Sequence, residues 1–171
     1  MEITLKLGFA EAGFVRLLNW LAKENARLLR DRTDLPSLYT SGVVYKREKR
    51  ETWCDIINAF SQGWEDCDGL AAWRAGELLA RGHRALRPGD GGYRAAKKRR
   101  LKRIPAEVLL RTRSKAGESG LYHCIVRYRV GRKWYRDDPS ARLGMYDGFK
   151  PRHNPYFDHS ETTLRRKGVL P

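Results

Sequence analysis

The stretch that decides the fold of this chain reads Gln62-Gly63-Trp64-Glu65-Asp66-Cys67-Asp68-Gly69-Leu70-Ala71-Ala72-Trp73-Arg74. A glycine–tryptophan turn precedes Asp66, a suitable N-cap residue, and the following residues predict an amphipathic helix. Cys67 then occupies the first turn, where the positive end of the helix dipole favours the thiolate. Because the thiolate is the form that attacks carbonyl carbon, the stretch predicts a helix that presents a nucleophile.

The elements around this helix follow an α+β order, with helices first and an antiparallel sheet second. Helical spacing of apolar residues predicts a helix over 11–31, and a short helix is expected near 55–60. Strands are expected at 3–9, 108–112, 121–129 and 133–136, with a hairpin loop at 115–120. We therefore predict one domain over 1–145, with an exposed basic insert at about 83–103. Residues 146–171 lose this periodicity and are expected to form an extended basic and aromatic arm.

The composition narrows the class of protein. A chain of 171 residues with 41% hydrophobic residues can form a single domain with a core. The formal charge of +15 favours polyanionic partners such as nucleic acid or an acidic assembly partner, and a solvated basic surface explains it equally well. The chain has no apolar run long enough for a membrane span, and its first residues lack the pattern of a signal peptide. The odd cysteine count, at 54, 67 and 124, is typical of free thiols in a reducing compartment.

Three residues in the order thiol, imidazole, carboxylate form the candidate catalytic set. Cys67 is the expected nucleophile, His123 the base, and Asp138 the group that orients the imidazole. Asp137 competes with Asp138, which we favour because Pro139 follows it and ends the strand. If His123 faces the Cys67 helix, strand alternation directs Cys124 to the opposite face, into the core.

An acyl-transfer site also needs hydrogen-bond donors for an oxyanion. The candidates are the backbone N–H of Cys67, the side-chain amide of Gln62 and the indole N–H of Trp64. No metal is expected. A zinc site made of one Cys, one His and one Asp is the weaker alternative, because no CxxC or HxxxH spacing supports it. Each of these residues also has a structural explanation, such as a core thiol, a turn residue or a cap.

Several motifs resemble those of transglutaminase-like cysteine proteins, which have a papain-like fold. Gly63-Trp64-Glu65-Asp66-Cys67-Asp68-Gly69-Leu70-Ala71 is similar to the nucleophile motif, and Tyr122-His123 and Asp138-Pro139-Ser140 are similar to the histidine and aspartate motifs. Two further segments resemble small transglutaminase-like proteins of tailed bacteriophages: Leu38-Tyr39-Thr40-Ser41-Gly42 and Pro139-Ser140-Ala141-Arg142-Leu143-Gly144-Met145. The similarity covers about 35–145. It departs from the family at Gly69, where a second acidic residue is common.

The resemblance implies a papain-like α+β core with a Cys-His-Asp triad and no cofactor. It also implies a cysteine hydrolase or peptidase that acts on an amide of a protein or peptide, in a virion or in the host cytoplasm. The alternative is a structural or assembly protein of the virion, in the capsid, neck or tail, that uses the fold as a scaffold. Its arm would contact other virion proteins.

A third hypothesis is a sequence-independent nucleic-acid binder, in which a basic run contacts phosphates. The residues of this run are Lys97, Lys98, Arg99, Arg100, Lys102 and Arg103.

Overall fold

The structure is a computed structural model that describes residues 11–48, 53–112 and 122–145. The expected strand at 3–9, the hairpin loop at 115–120 and the arm at 146–171 lie outside these residues. The helices are α1 (Glu11–Asp31), α2 (Ile56–Gln62), α3 (Cys67–Arg81), α4 (Tyr93–Lys98) and α5 (Pro139–Arg142). The strands are β1 (Val44–Tyr45), β2 (Trp64–Glu65), β3 (Ala106–Thr112), β4 (Tyr122–Val130) and β5 (Lys133–Asp137).

The mixture of helix and sheet confirms the α+β expectation. β3, β4 and β5 form an antiparallel sheet in that order, with Val108 opposite Val126 and Tyr128 opposite Tyr135. β1 and β2 form a separate two-stranded parallel pair, which the sequence pattern did not predict. A strand of two residues is too short to show an alternating pattern.

Helix α3 lies at the centre of the molecule, with most of its residues buried between α1 and the antiparallel sheet. The approach of α1 depends on Gly76, because a Cβ there would lie 2.8 Å from the backbone oxygen of Ala22. On the other side, small residues of α3 pack against the sheet in the main core. The core residues from these two elements are Ala71, Ala72, Ala75, Leu78, Cys124, Val126, Tyr128 and Val130.

Asn19 of α1 covers the edge of β3 that faces away from β4. Its side-chain oxygen accepts a hydrogen bond from the Val108 N–H at 2.9 Å, and its amide donates to the Val108 carbonyl at 3.2 Å. One side chain thus satisfies both backbone groups at this point of an edge strand.

The segment 83–103 is not wholly exposed, in contrast to the prediction. Ala85, Leu86 and Ala96 are buried in the main core, and Gly82 packs so tightly that a Cβ would lie 2.1 Å from the Leu101 oxygen. Helix α4 is only six residues long and has one buried residue, so its apolar periodicity was too short to detect.

Candidate active site

The N-terminus of α3 positions Cys67. Asp66 is in an extended conformation as the N-cap, and its side chain accepts a hydrogen bond from the Asp68 N–H at 3.3 Å. Cys67 is the first helical residue and is only partly buried. Its backbone N–H belongs to the first turn, where helical N–H groups have no partner within the helix.

Strand β4 and the end of β5 bring His123 and Asp138 together. His123 Nε2 lies 2.8 Å from Asp138 Oδ2. The second oxygen of Asp138 accepts a hydrogen bond from the Ala141 N–H at 3.1 Å and so caps α5. The carboxylate is therefore held by a helix start and can orient the imidazole at the same time.

The sulfur of Cys67 meets both neighbouring residues of β4. Cys67 packs against the core cluster that contains Cys124, and the Cys124 thiol, the His123 ring and the backbone N–H of Cys124 all act on its sulfur. Nε2 of the His123 ring faces Asp138, whereas Nδ1 is buried and has no hydrogen-bond partner among the described residues. The structure thus brings the three predicted residues together around one direct hydrogen bond, between His123 and Asp138.

These contacts shift the acid–base behaviour of the pair in opposite directions. Cys124 and then His123 stabilise the thiolate, outweigh burial and lower the pKa of Cys67 to about 6. Burial acts to lower the pKa of His123, but the hydrogen bond with Asp138 and the proximity of Cys67 raise it to about 9. Near neutral pH the pair therefore exists as thiolate and imidazolium.

The expectation that Cys124 turns away from the Cys67 helix is wrong. Cys124 lies in the core that packs against α3, and His123 is on the opposite face of β4. Both reach Cys67 because β5 pairs with β4 only from Val126 to Val130. Before Val126, the edge of β4 faces the start of α3 and not β5. The backbone N–H of Cys124 therefore faces the Cys67 sulfur and not a neighbouring strand.

Asp137, the alternative carboxylate, belongs to a different cluster. It is buried and receives a hydrogen bond from Arg74 Nε at 2.7 Å, while Arg142 Nε lies 3.1 Å from its other oxygen. Arg74 and then Arg142 outweigh the burial of Asp137, so its pKa is lowered. Asp138 is thus the neighbour that is left for His123.

Arg74 connects helix α3, which carries Cys67, to Asp137 at the end of β5. Its side chain is fully buried, and besides Asp137 it donates to Glu77 at 2.9 Å and Asp90 at 3.2 Å. Arg74 follows Cys67 by two helical turns, so both lie on the same face of α3. The link ties the helix of Cys67 to the end of β5, directly before Asp138.

Gln62 and Trp64, the predicted oxyanion donors, have other contacts. The Gln62 amide donates to the Trp64 carbonyl at 2.8 Å and lies 3.5 Å from Glu65 Oε2. The Trp64 ring is half-buried below the Lys46 ammonium, which lies 4.5 Å from the ring centroid. Gln62 would have to release these bonds before it could serve as a donor.

A second thiol lies beside the same helix in a different environment. Cys54 Sγ is 2.6 Å from Oε2 of Glu65, which is fully buried. Burial raises the pKa of Glu65 to about 7 despite hydrogen bonds from Cys54 and the Asp66 N–H. The Glu65 side chain also explains Gly69, because a Cβ at Gly69 would lie 2.5 Å from Glu65 Cδ.

Carboxylate oxygens of Glu65, Asp66 and Asp68 lie within 4.8 Å of one another. These residues flank Cys67 but do not include it, and they differ from the Cys, His and Asp set considered for zinc. Acidic residues at a helix start are common without an ion, so this cluster carries no assignment.

The predicted basic run follows the surface of α4 and the segment after it. The side chains of Lys97, Lys98, Arg99, Arg100, Lys102 and Arg103 are all exposed. They are available to a partner, and the structure does not bring them to Cys67.

Sequence reasoning missed the roles of Cys124, Arg74 and Glu65. For Arg74 a signal exists, because an arginine two turns after the cysteine falls on the apolar face of an amphipathic helix. The contacts of Cys124 and Glu65 depend on where β5 ends and on how closely the helix start is packed, and no local pattern reports either.

Comparisons with family models, with curated proteins and with solved structures gave no match for this chain. Among the described residues, none of the helices combines the length and the apolar character that a bilayer crossing requires.

Proposed function

We propose that this chain is a transglutaminase-like cysteine hydrolase or peptidase that acts on an amide through Cys67, His123 and Asp138. The observation that carries the proposal is His123, which lies 2.8 Å from Asp138 and acts on the Cys67 thiol at the start of α3. A nucleophile, a base and a group that orients the base are the parts that acyl transfer by a thiol requires.

The chemistry follows from the thiolate–imidazolium pair. The Cys67 thiolate attacks the amide carbonyl carbon, and the backbone N–H of Cys67 is the proposed donor to the oxyanion. His123 then donates its proton to the leaving nitrogen, and a thioester remains on Cys67. Water, deprotonated by His123, hydrolyses the thioester, whereas an amine in place of water gives acyl transfer. Asp138 keeps the imidazole oriented throughout.

Alkylation kinetics test the nucleophile. The reduced protein is treated with limiting iodoacetamide near neutral pH, and the rate at each of the three cysteines is read by peptide mass spectrometry. We expect Cys67 to react fastest, with Cys54 as the internal control. A Cys67 that reacts no faster than Cys54 would contradict the proposal. An acyl adduct on Cys67 that forms with an amide substrate and is released by hydroxylamine would identify the thioester.

We propose that the chain has a papain-like core similar to that of the small transglutaminase-like proteins of tailed bacteriophages. The proposed location of the protein is a virion or the host cytoplasm. The support is the order of the motifs together with a cysteine at a helix start and a histidine on an antiparallel strand. Experimental coordinates that match unrelated folds better than papain-like ones would contradict this assignment.

The second candidate function is a structural or assembly protein of the virion with a basic surface for DNA or acidic partners. The observations that favour it are the charge of +15 and the six exposed basic residues of the α4 region. Binding through phosphates weakens steeply as salt rises. The two functions are compatible, since a virion can carry a peptidase.

A matched pair of variants tests this basic surface. Lys97, Lys98 and Arg99 are changed to alanine in one variant, and Lys23, Arg27 and Arg30, which are also exposed, in the other. We expect the first to weaken binding to a duplex DNA several-fold more than the second. Equal losses would show that net charge, and not the α4 region, governs binding. Association with assembled particles in the absence of DNA binding would favour a protein partner.

A further inference from the structure

The proposed reaction leaves one contact at the nucleophile unused. Cys124 takes no part in acyl transfer, yet Cys67 packs against the buried cluster that contains Cys124, and the two thiols shift each other's pKa in opposite directions. Cys124 is 1% exposed, whereas Cys67 is only partly buried. An oxidant in the solvent therefore reaches the Cys67 sulfur first, and the Cys124 sulfur is shielded from it.

The third cysteine has no comparable position. Cys54 Sγ is 2.6 Å from the Glu65 carboxyl, and burial followed by Glu65 raises its pKa. Thiols that stay protonated react slowly with peroxides. Cys54 is therefore a built-in control for the reactivity of the pair.

We infer that Cys67 and Cys124 are a peroxide-responsive pair in which oxidation of Cys67 ends in a Cys67–Cys124 disulfide. The pair stands on the packing of Cys67, at the start of α3, against the buried cluster that contains Cys124 of β4. Its consequence for activity rests on the proposed function, because the disulfide would block the nucleophile until a thiol reductant restores it.

The oxidation takes two balanced steps. The Cys67 thiolate attacks a peroxide oxygen, so that an S–O bond forms, the O–O bond breaks and the leaving hydroxide takes up a proton as water. Oxidation removes the Cys67 thiolate, which is the main cause of the raised pKa of Cys124. The Cys124 sulfur then attacks the Cys67 sulfur, an S–S bond forms and the S–O bond breaks. The proton of Cys124 leaves with the hydroxyl group as a second water. Two thiols lose two electrons, and one peroxide gains them.

The positions of Cys67 and Cys124 in the fold are compatible with a disulfide between them. The two sulfurs must approach to about 2 Å, and the Cα atoms of a disulfide lie roughly 4.4–6.8 Å apart. Cys67 is in the first helical turn, and Cys124 lies where β4 has no β5 partner. Cys124 remains paired with Leu110 of β3, so Cys67, at the helix start, is the residue that would move to close the bond.

Peroxide titration with non-reducing peptide mapping tests the inference. The full chain is treated with one equivalent of hydrogen peroxide, blocked with iodoacetamide and digested with and without reductant. We expect a peptide that links Cys67 to Cys124, with Cys54 recovered in its alkylated form. A Cys67–Cys54 link, or a Cys67 sulfenic acid that persists and is captured by dimedone, would overturn the inference.

Two variants provide the matched control. In Cys124→Ala, oxidised Cys67 has no partner, so dimedone capture or further oxidation to the sulfinic acid is expected. In Cys54→Ala, the Cys67–Cys124 link should form as in the wild type. If Cys124→Ala fails to fold, Cys124→Ser replaces it. The wild-type mapping decides the matter in either case.

The outcomes separate this inference from the proposed function. Fast alkylation of Cys67 in the reduced protein, without a disulfide after peroxide, leaves the hydrolase standing and removes the inference. A disulfide without fast alkylation or amide chemistry supports the pair and removes the hydrolase.

Discussion

Cys54 and Cys67 are both partly buried beside the start of α3, yet their pKa values shift in opposite directions. The Cys54 sulfur faces a buried carboxyl group, and the Cys67 sulfur faces an imidazole, a second thiol and a backbone N–H. Exposure alone would not separate the two thiols. The comparison teaches that the groups around a sulfur decide whether it is an inert core group or a nucleophile.

The largest change, in the free energy of unfolding, is expected from Glu65→Gln, which removes the ionisable partner of Cys54. The folded-state pKa of Glu65 is about 7 against its ordinary value of 4.5, so its contribution to stability is fully present below pH 4.5 and lost as pH rises through about 7. Glutamine cannot ionise, so the variant should avoid a loss of about 3 kcal/mol across this window. Urea unfolding at both ends of the window measures it. A constant difference between variant and wild type would contradict the origin of the shift.

The next largest effect is expected on the reactivity of Cys67. His123→Ala removes a group that stabilises the Cys67 thiolate, so the alkylation rate of Cys67 near neutral pH should fall by about tenfold. The rate at Cys54 should stay unchanged in the same sample. Cys124 still contacts the sulfur in this variant, so the loss should be incomplete. If the two rates changed together, altered folding and not the imidazole would be the cause.

A smaller effect concerns the pH dependence of stability. Cys67, lowered to about 6 from 9.0, adds stability as pH rises, and His123, raised to about 9 from 6.5, removes it over nearly the same range. The two slopes cancel because forming the pair moves a proton from sulfur to nitrogen without net uptake. Cys67→Ser removes the first slope and leaves the part of the second that Asp138 causes, so the unfolding free energy should fall by less than about 1 kcal/mol per pH unit above 6.5.

Chemical unfolding at several pH values measures this difference, and Cys54→Ser is the control. That control removes a thiol that carries no such slope between these pH values. A Cys67→Ser protein with the same pH dependence as the control would show that Asp138 does not raise the pKa of His123.

The smallest effect is expected on the alkylation rate of Cys67 when Asp138 or Asp66 is changed to asparagine. Asp138→Asn keeps the cap of α5, because asparagine is also a good N-cap, but weakens the imidazolium. The pKa of His123 should fall, seen by NMR titration, and Cys67 should react about threefold more slowly. Asp66→Asn, the matched variant, removes a charge that raises the pKa of Cys67. It should therefore change the rate in the opposite direction. Equal signs would contradict the assigned roles.

Much of the architecture was predictable because its signals are local. Helix α1 over Glu11–Asp31 and the start of α3 after Asp66 agree with the predicted periodicity and cap. The exposure of Lys97 to Arg100 also agrees, since a charge run remains in solvent. The parallel pair β1–β2 and the burial of Ala96 were missed, because two strand residues or one apolar residue make no period.

By itself, the sequence determined the order of helices and strands, the thiol at a helix start, and the candidates for imidazole and carboxylate. Caps, periodicity and turns act over a few residues, so a single chain displays them. Only the tertiary structure decided that Asp138 contacts His123 while Asp137 is held by Arg74, and that Cys124 faces Cys67. The physical reason is that β5 ends one residue before Asp138, which leaves the edge of β4 open to the helix. Where a strand stops pairing depends on contacts between distant segments, and no local pattern reports them.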